Sequence, residues 1–335
     1  MFPARLWEKG AEGKVRCLLC ARGCAPREGE RGFCQVRINR GGEFFSLNYG
    51  YAEALSLDPV EKKPLYHFWP GTATFSVGAP GCDFDCLGCQ NFTLSRPGTD
   101  YPGPARVISP EDVVEMGLET GARSLSFTYS EPTVFYEFAV DAGDIAREKG
   151  LPSIWVTNGF LSAAAFDGLG SVAAMNIDLK GFTEKFYLEV AHGRLGPVLD
   201  SIREAWRRGI WLEVTTLLIP GLNDGREELE KLVAFLVSVS PDIPWHVSAF
   251  APLRKQADLR RTSPRDLERA REIGRAGGLN YVYLGNAVGP GYGDTVCPQC
   301  RALLIERRGY ETRLALPLAE GACPSCGQKI PGVWA

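Results

Sequence analysis

Residues 72–91, TATFSVGAPGCDFDCLGCQN, open as a short β-rich run and break at once into a loop with three cysteines, Cys82, Cys86 and Cys89. The run at 74–77 has the β-branched and aromatic character of a buried strand. The loop is polar and flanked by Gly81 and Gly88, unlike a segment that fills a core. Working outward, similar β-rich runs recur at 124–128, 153–157, 175–179, 211–218, 245–249 and 281–284. Helical patterns lie between them. Ser109-Pro110-Glu111-Asp112 reads as an N-cap with Pro at N1 and an acid at N3, and Gly121 is the stop. Ser263-Pro264-Arg265-Asp266 repeats that signal, while the patterns at 133–149 and 197–208 end at Gly150 and Gly209. Strands alternating with helices of this length argue βα units and a parallel sheet. Six units and a seventh strand make an α/β fold of partial (β/α)6, TIM-like barrel type, although a doubly wound sheet fits the same periodicity. In either form, active sites gather at the carboxyl ends of the strands, where the cysteine loop falls.

The chain has 335 residues, 45% of them hydrophobic and 23% charged, enough for one large or two modest domains with a substantial core. A formal charge of −3 gives no general attraction to nucleic acid or anionic membranes. The first residues, MFPARLWEKG, hold no apolar signal region, and no apolar run approaches the roughly 20 residues of a membrane helix. The expected location is cytoplasmic, with no membrane partner. Eleven cysteines are then better read as metal ligands than as disulfides. They fall in three groups with none between Cys89 and Cys297. The expected organisation is a cysteine-rich segment at 1–45, a barrel at 46–290 and a knuckle pair at 291–335, with residues 58–71 (DPVEKKPLYHFWPG) as a linker.

Three thiolates within so short a loop can wrap a cubane iron–sulfur cluster, whose full set would be four. One iron is then left open, as in catalytic metal sites generally, and an amino acid can chelate it through amine and carboxylate. A three-thiolate zinc site completed by a distant histidine, or unligated cysteines, is the alternative. Cys-x3-Cys-x2-Cys after the first barrel strand resembles the radical S-adenosylmethionine (SAM) superfamily. The resemblance implies a 4Fe–4S cluster with SAM on its open iron, reductive cleavage of SAM to a 5′-deoxyadenosyl radical, and hydrogen abstraction from a substrate. Gly88 departs from the aromatic residue usual before the last cysteine, so Phe84, Phe92 or Trp155 would have to supply that contact.

Such a site must grip a zwitterion and a ribose. Glu131, in SFTYSEPT, could accept the SAM ammonium. The amide of Asn158, in WVTNG, suits a ribose or carboxylate. Asp178 and Lys180 end the fourth strand as a ligand pair or a plain salt bridge. Glu213, within the fifth strand, would need a partner if buried, and His246 opens the sixth. All six are expected to bind cofactor. His67 could pack beside the site or cap a turn, His192 reads as loop, and Asn286 could point into the cavity.

Cys297-x2-Cys300 and Cys323-x2-Cys326 make two knuckles 22 residues apart, a strong signal for a four-sulfur site. Zinc is expected there, with a rubredoxin-like iron as the alternative; residues 306–316 read as a hairpin. Cys17, Cys20, Cys24 and Cys34 are less regular but also argue a metal, zinc before a second cluster.

CLLCARGC, GFCQVR, DPVEKKPLYHFWPG, GCDFDCLGCQN, FTYSEPT, VTNG, DLKGF, LLIPGLND, YLGN and IPGVW follow one another in an order that resembles the radical SAM enzymes of the AmmeMemoRadiSam system, relatives of the pyruvate formate-lyase activating enzyme. The resemblance implies an oxidoreductase with a small-molecule or protein substrate and an electron donor such as flavodoxin or ferredoxin. It also implies association with Memo-like and AMMECR-like proteins. A glycyl-radical-enzyme activase is the neighbouring reading. A zinc-only scaffold or nucleic-acid-binding ribbon protein is the reading from another class, and the Arg207-Arg208, Arg260-Arg261 and Arg307-Arg308 pairs are better taken as solvated faces.

Overall fold

The computed structural model describes residues 1–98, 101, 107–287, 289–316, 318 and 321–334. Five short strands come first: β1 (Phe2–Pro3), β2 (Trp7–Lys9), β3 (Val15–Cys17), β4 (Arg37–Arg40) and β5 (Glu43–Ser46). They form two small antiparallel sheets, β1-β5-β4 and β2-β3. The main sheet then lays down β6 (Ala54–Pro59), β7 (Ala73–Gly78), β8 (Ser124–Phe127), β9 (Ser153–Thr157), β10 (Val172–Asp178), β11 (Trp211–Leu218), β12 (Trp245–Ala249) and β13 (Val282–Gly285) side by side in chain order. From β7 to β13 every pairing is parallel, whereas β6 runs antiparallel to β7.

Strand order settles what periodicity left open. A doubly wound sheet reverses its order at a switch point. Here each crossover adds the next strand on the same side, so the sheet curls one way and remains open between β6 and β13. The crossovers contain α1 (Pro110–Glu119), α2 (Tyr136–Glu148), a turn of helix at Ala163–Phe166, α3 (Leu195–Arg207), α4 (Arg226–Val239) and α5 (Pro264–Ala276). The capping boxes expected at Ser109/Asp112 and Ser263/Asp266 both form. Gly121 and Gly150 take the left-handed conformation that ends α1 and follows α2.

The linker expected at 58–71 is no linker. Its start completes β6, an edge strand that the sequence pattern does not announce. The segment then folds under the sheet, where Val60, Leu65 and Phe68 are buried with Ile154 and Ala174. It plugs the amino-terminal end of the barrel. The carboxyl-terminal strands β14 (Thr295–Val296), β15 (Leu303–Arg308) and β16 (Glu311–Leu314) form an antiparallel sheet with the expected hairpin. That unit is tied to the plug. The Val333 amide donates to the His67 carbonyl at 2.7 Å, the Trp69 amide to the Val333 carbonyl at 2.8 Å, and Arg307 to the Tyr66 carbonyl at 2.7 Å. Among the described residues, no helix is long and apolar enough to cross a membrane.

Candidate active site

The cysteine loop leaves β7 through Gly81, whose φ of +108° and 2.7 Å clearance from Val36 to a Cβ leave no room for a side chain. The loop is braced from several elements. Asp85 and Leu87 amides donate to the Ala191 and Val190 carbonyls. Arg22 donates to the Asp83 carbonyl at 2.8 Å, and Arg96 to the Phe84 carbonyl at 2.7 Å. His192, expected as plain loop, sits in the left-handed region and places Nδ1 2.8 Å from the Asp85 carbonyl oxygen.

Cys82, Cys86 and Cys89 line a cavity of about 590 Å³ at the carboxyl ends of the strands, within the usual range for small-molecule sites. Burial pushes the Cys86 thiol up to about 11, and burial, followed by the Asp83 charge, also raises Cys82. Such thiols stay protonated at neutral pH unless a cation at the site stabilises the thiolate.

Glu131, Asn158, Asp178 and Lys180, four of the six residues expected to bind cofactor, line the same cavity. Glu131 is 1% exposed. Its Oε1 accepts from the Thr133 and Thr157 hydroxyls at 2.6 and 2.7 Å, and its Oε2 from the Asn158 amide at 2.8 Å. The Asn158 side chain donates to Asp83 Oδ1 at 2.7 Å and lies 3.8 Å from Cys82 Sγ. Burial, reinforced at Glu131 by the Asp83 charge, raises both carboxyls above their ordinary range. Lys180 pairs with Asp178 at 2.8 Å. Burial opposes its charge, but Asp178 and the nearby Cys86 outweigh it and raise its pKa.

Glu213 and His246 do not belong here. Both lie toward the opposite end of the barrel. Glu213 Oε1 accepts from the His67 amide at 2.7 Å and Trp211 Nε1 at 3.0 Å, and Oε2 from the Tyr66 amide at 3.0 Å, with His246 Nε2 at 2.6 Å. Burial alone would raise this carboxyl; the His246 contact leads the interactions that hold it low. Glu213 is the third residue of an eight-residue strand, too early to reach the carboxyl end. His67 joins the same seam, with Nδ1 2.7 Å from the Pro331 carbonyl oxygen and Nε2 2.6 Å from the Tyr283 hydroxyl. The Asn286 amide is spent on the Ala249 backbone.

Trp155 packs against Phe127 and Tyr136 and is no substitute for the missing aromatic at 88; Phe84 does line the cavity. The space over Gly88 belongs to Gln256, whose Oε1 lies 2.1 Å from where a Cβ would stand. Gln256 is buried and its Nε2 has no hydrogen-bond partner among the described residues. Sequence reasoning does not find this residue, nor Lys62, Lys63, Tyr129 and Tyr310, which line the far side of the cavity. The adjacent lysines in DPVEKKP are the only signal.

At the carboxyl terminus the Sγ atoms of Cys297, Cys300, Cys323 and Cys326 all lie within 4.8 Å of one another, ready for a single metal ion. Among the described residues no other group of such ligands is so gathered. Cys17, Cys20, Cys24 and Cys34 pack behind the loop. Burial raises the thiols of Cys20 and Cys24, and pushes Cys34 up to about 12.

The family model of the Radical SAM superfamily matches residues 76–236. A protein of Methanocaldococcus jannaschii described as uncharacterised is 41% identical over 332 residues, spanning 98% of this chain and 99% of its own. Among solved structures, a radical SAM methyltransferase from Sphaerobacter thermophilus aligns with a TM-score of 0.51 at 17% identity, over 66% of this chain and 68% of that one. Streptococcus suis SuiB bound to its precursor peptide SuiA aligns with a TM-score of 0.50 at 16% identity, over 68% of this chain and 51% of that one. These two likenesses concern the fold.

Proposed function

Because the chain belongs to the radical SAM superfamily, we propose that Cys82, Cys86 and Cys89 hold a 4Fe–4S cluster and that the cavity beside them binds SAM and a substrate. The donor set fits: three thiols line the cavity, no fourth cysteine does so among the described residues, and the Gln256 amide, whose Nε2 has no partner among them, shares their wall. When bound, cluster and SAM together supply a 5′-deoxyadenosyl radical that can abstract hydrogen. The protein's own contribution is binding and orientation. Glu131 fixes the Asn158 backbone, so the Asn158 side chain is held beside Cys82 and Asp83. Asp178 and Lys180 present a near-neutral pair to the polar end of a zwitterion. Phe84, packed on Phe160, walls one side of the cavity away from water.

The observation that carries this reading is the convergence of three loop cysteines with Glu131, Asn158 and Lys180, from three other strand ends, on one cavity. The order of motifs along the chain supports an oxidoreductase of the AmmeMemoRadiSam type, served by a flavodoxin- or ferredoxin-like donor in the cytoplasm and associated with Memo-like and AMMECR-like proteins. The gathered thiols at the carboxyl terminus support a structural zinc. Those at the amino terminus are proposed as a second metal site. The barrel at 46–290 with its two cysteine-rich flanks is proposed as the domain organisation.

Anaerobic reconstitution with iron and sulfide tests the central claim. About four irons beyond any zinc, and 5′-deoxyadenosine on addition of SAM and dithionite, are expected. Reconstituted, folded protein that makes none refutes it.

A further inference from the structure

The cavity lined by the cysteine loop is lined also by residues that the proposed SAM chemistry does not use, Lys62, Lys63, Thr128, Tyr129 and Tyr310. Lys63 is 1% exposed, and its ammonium donates to Asp58 Oδ2 at 2.7 Å. Lys62 donates to Asp58 Oδ1 at 2.7 Å. Asp58 also accepts from the hydroxyls of Ser56, Ser76 and Tyr129. Two ammonium groups thus share one heavily engaged carboxylate, and each carries three donors. Among the described residues Asp58 is the sole anion paired with either lysine. Lys63 is buried, and a buried ammonium with donors to spare is costly unless something else accepts from it, while the Lys62 side chain is 42% exposed and reaches the cavity from its open side.

Two further observations point to a ligand. Tyr129 has a φ of 69°, a conformation that non-glycine residues rarely take and that concentrates at working sites. That backbone sets its ring 4.6 Å from the Lys63 ammonium and its carbonyl within reach of Asn91, next to the cysteine loop. Tyr310 arrives at the same cavity from the turn between β15 and β16, although the hairpin belongs to the four-cysteine unit. The hairpin is fastened to the lysine segment, with Thr312 Oγ1 donating to Glu61 at 2.8 Å and Arg307 Nε 3.6 Å from the same carboxylate oxygen.

We propose that Lys62, Lys63 and Tyr129, with Tyr310 as a lid-side wall, form a subsite for an anionic group, carboxylate or phosphate, on a small-molecule substrate. This rests on the reading of the cavity as the radical SAM site. The substrate's anion would meet the lysines at one end and present its reacting carbon toward the cysteine loop at the other. The four-cysteine unit then shapes substrate binding, because its hairpin supplies one wall.

The test is calorimetric titration of the anaerobically reconstituted full chain, with SAM present, using pyrophosphate in one arm and citrate in the other. Near one equivalent of at least one probe should bind, and which arm responds names the chemistry. Lys62→Met, which leaves the Lys63–Asp58 pair intact, should weaken that binding at least tenfold, and Tyr310→Ala several-fold. Lys149→Met removes the same charge at the end of α2 and should change nothing. Neither probe binding, or Lys62→Met and Lys149→Met behaving alike, overturns the subsite. A separate titration of the same preparation with SAM judges the underlying reading, so failure of the one is not mistaken for failure of the other.

Discussion

Glu131 and Glu213 are both fully buried glutamates of one barrel, and they sit at opposite ends of it. Glu131 shares the end that holds the cysteine loop. It faces a cavity, has Asp83 for a neighbour, and its carboxyl is raised. Glu213 shares the end sealed by the plug. It lies outside the cavity lining, takes three N–H donors and the His246 contact, and its carboxyl is lowered. Burial is common to both, so burial does not distinguish a carboxylate that lines the cavity from one held in the sealed seam. Hydrogen bonding does not either, since each carboxylate has four such contacts; a like-charge neighbour and open space beside Glu131 do.

That contrast can be broken in order of expected effect. Cys86→Ala should abolish 5′-deoxyadenosine formation and lower bound iron, while a denaturant midpoint measured on the metal-free chain barely moves. Glu213→Ala strips the acceptor from three buried N–H donors, and should cost about 3–5 kcal/mol in urea unfolding while SAM affinity persists in the folded fraction. If SAM affinity falls in step, the two ends are not independent.

Acid should act on the sealed end. Burial pushes His67 down to about 4 from an ordinary 6.5, so the unfolded chain takes up a proton that the folded seam refuses. Stability should therefore fall as pH drops from about 6.5 to 4, by up to about 3 kcal/mol at 1.36 kcal/mol per unit. His67→Gln should flatten that part of the pH profile of unfolding, whatever it does to stability at pH 7. Glu131→Gln should weaken SAM binding by tenfold or more, the scale of one lost charge-assisted hydrogen bond at about 2 kcal/mol, and should also lower the urea midpoint, because its carboxamide N–H groups would meet the Thr133, Thr157 and Asn158 donors. Ser109→Ala removes the α1 capping box, away from both ends, and should cost about 1 kcal/mol with no effect on SAM affinity.

Much of the barrel is legible in the residues themselves. Composition places β11 and β12 to the residue, because each is a short run with aromatic and β-branched residues bounded by turn signals such as Gly209, Pro220 and Pro244. The helix starts at Ser109 and Ser263 are legible because capping is a local hydrogen-bond problem. The placement of Glu131, Asn158, Asp178 and Lys180 in the cavity lining is legible because each lies at, or in the loop just after, the carboxyl end of a strand. Glu213 and His246 are misplaced for want of the same check, since they sit near the beginnings of their strands. The antiparallel edge strand β6 alternates, but in the inverted sense, with Leu55 and Leu57 exposed and Asp58 buried, so its pattern does not say which face meets the core.

The sequence by itself determined the chemistry: three cysteines at fixed spacing, a parallel βα series, and two knuckles spaced for one metal ion. These are short-range facts, carried by the residues that express them. Only the tertiary structure decided that 58–71 is a plug and not a linker, that Gln256 occupies the space over Gly88, and that a hairpin near the end of the chain walls the same cavity as Lys62. Those contacts join residues far apart in the chain, up to 251 positions between Glu61 and Thr312, and their partners are chosen by how the sheet closes, which no local pattern encodes.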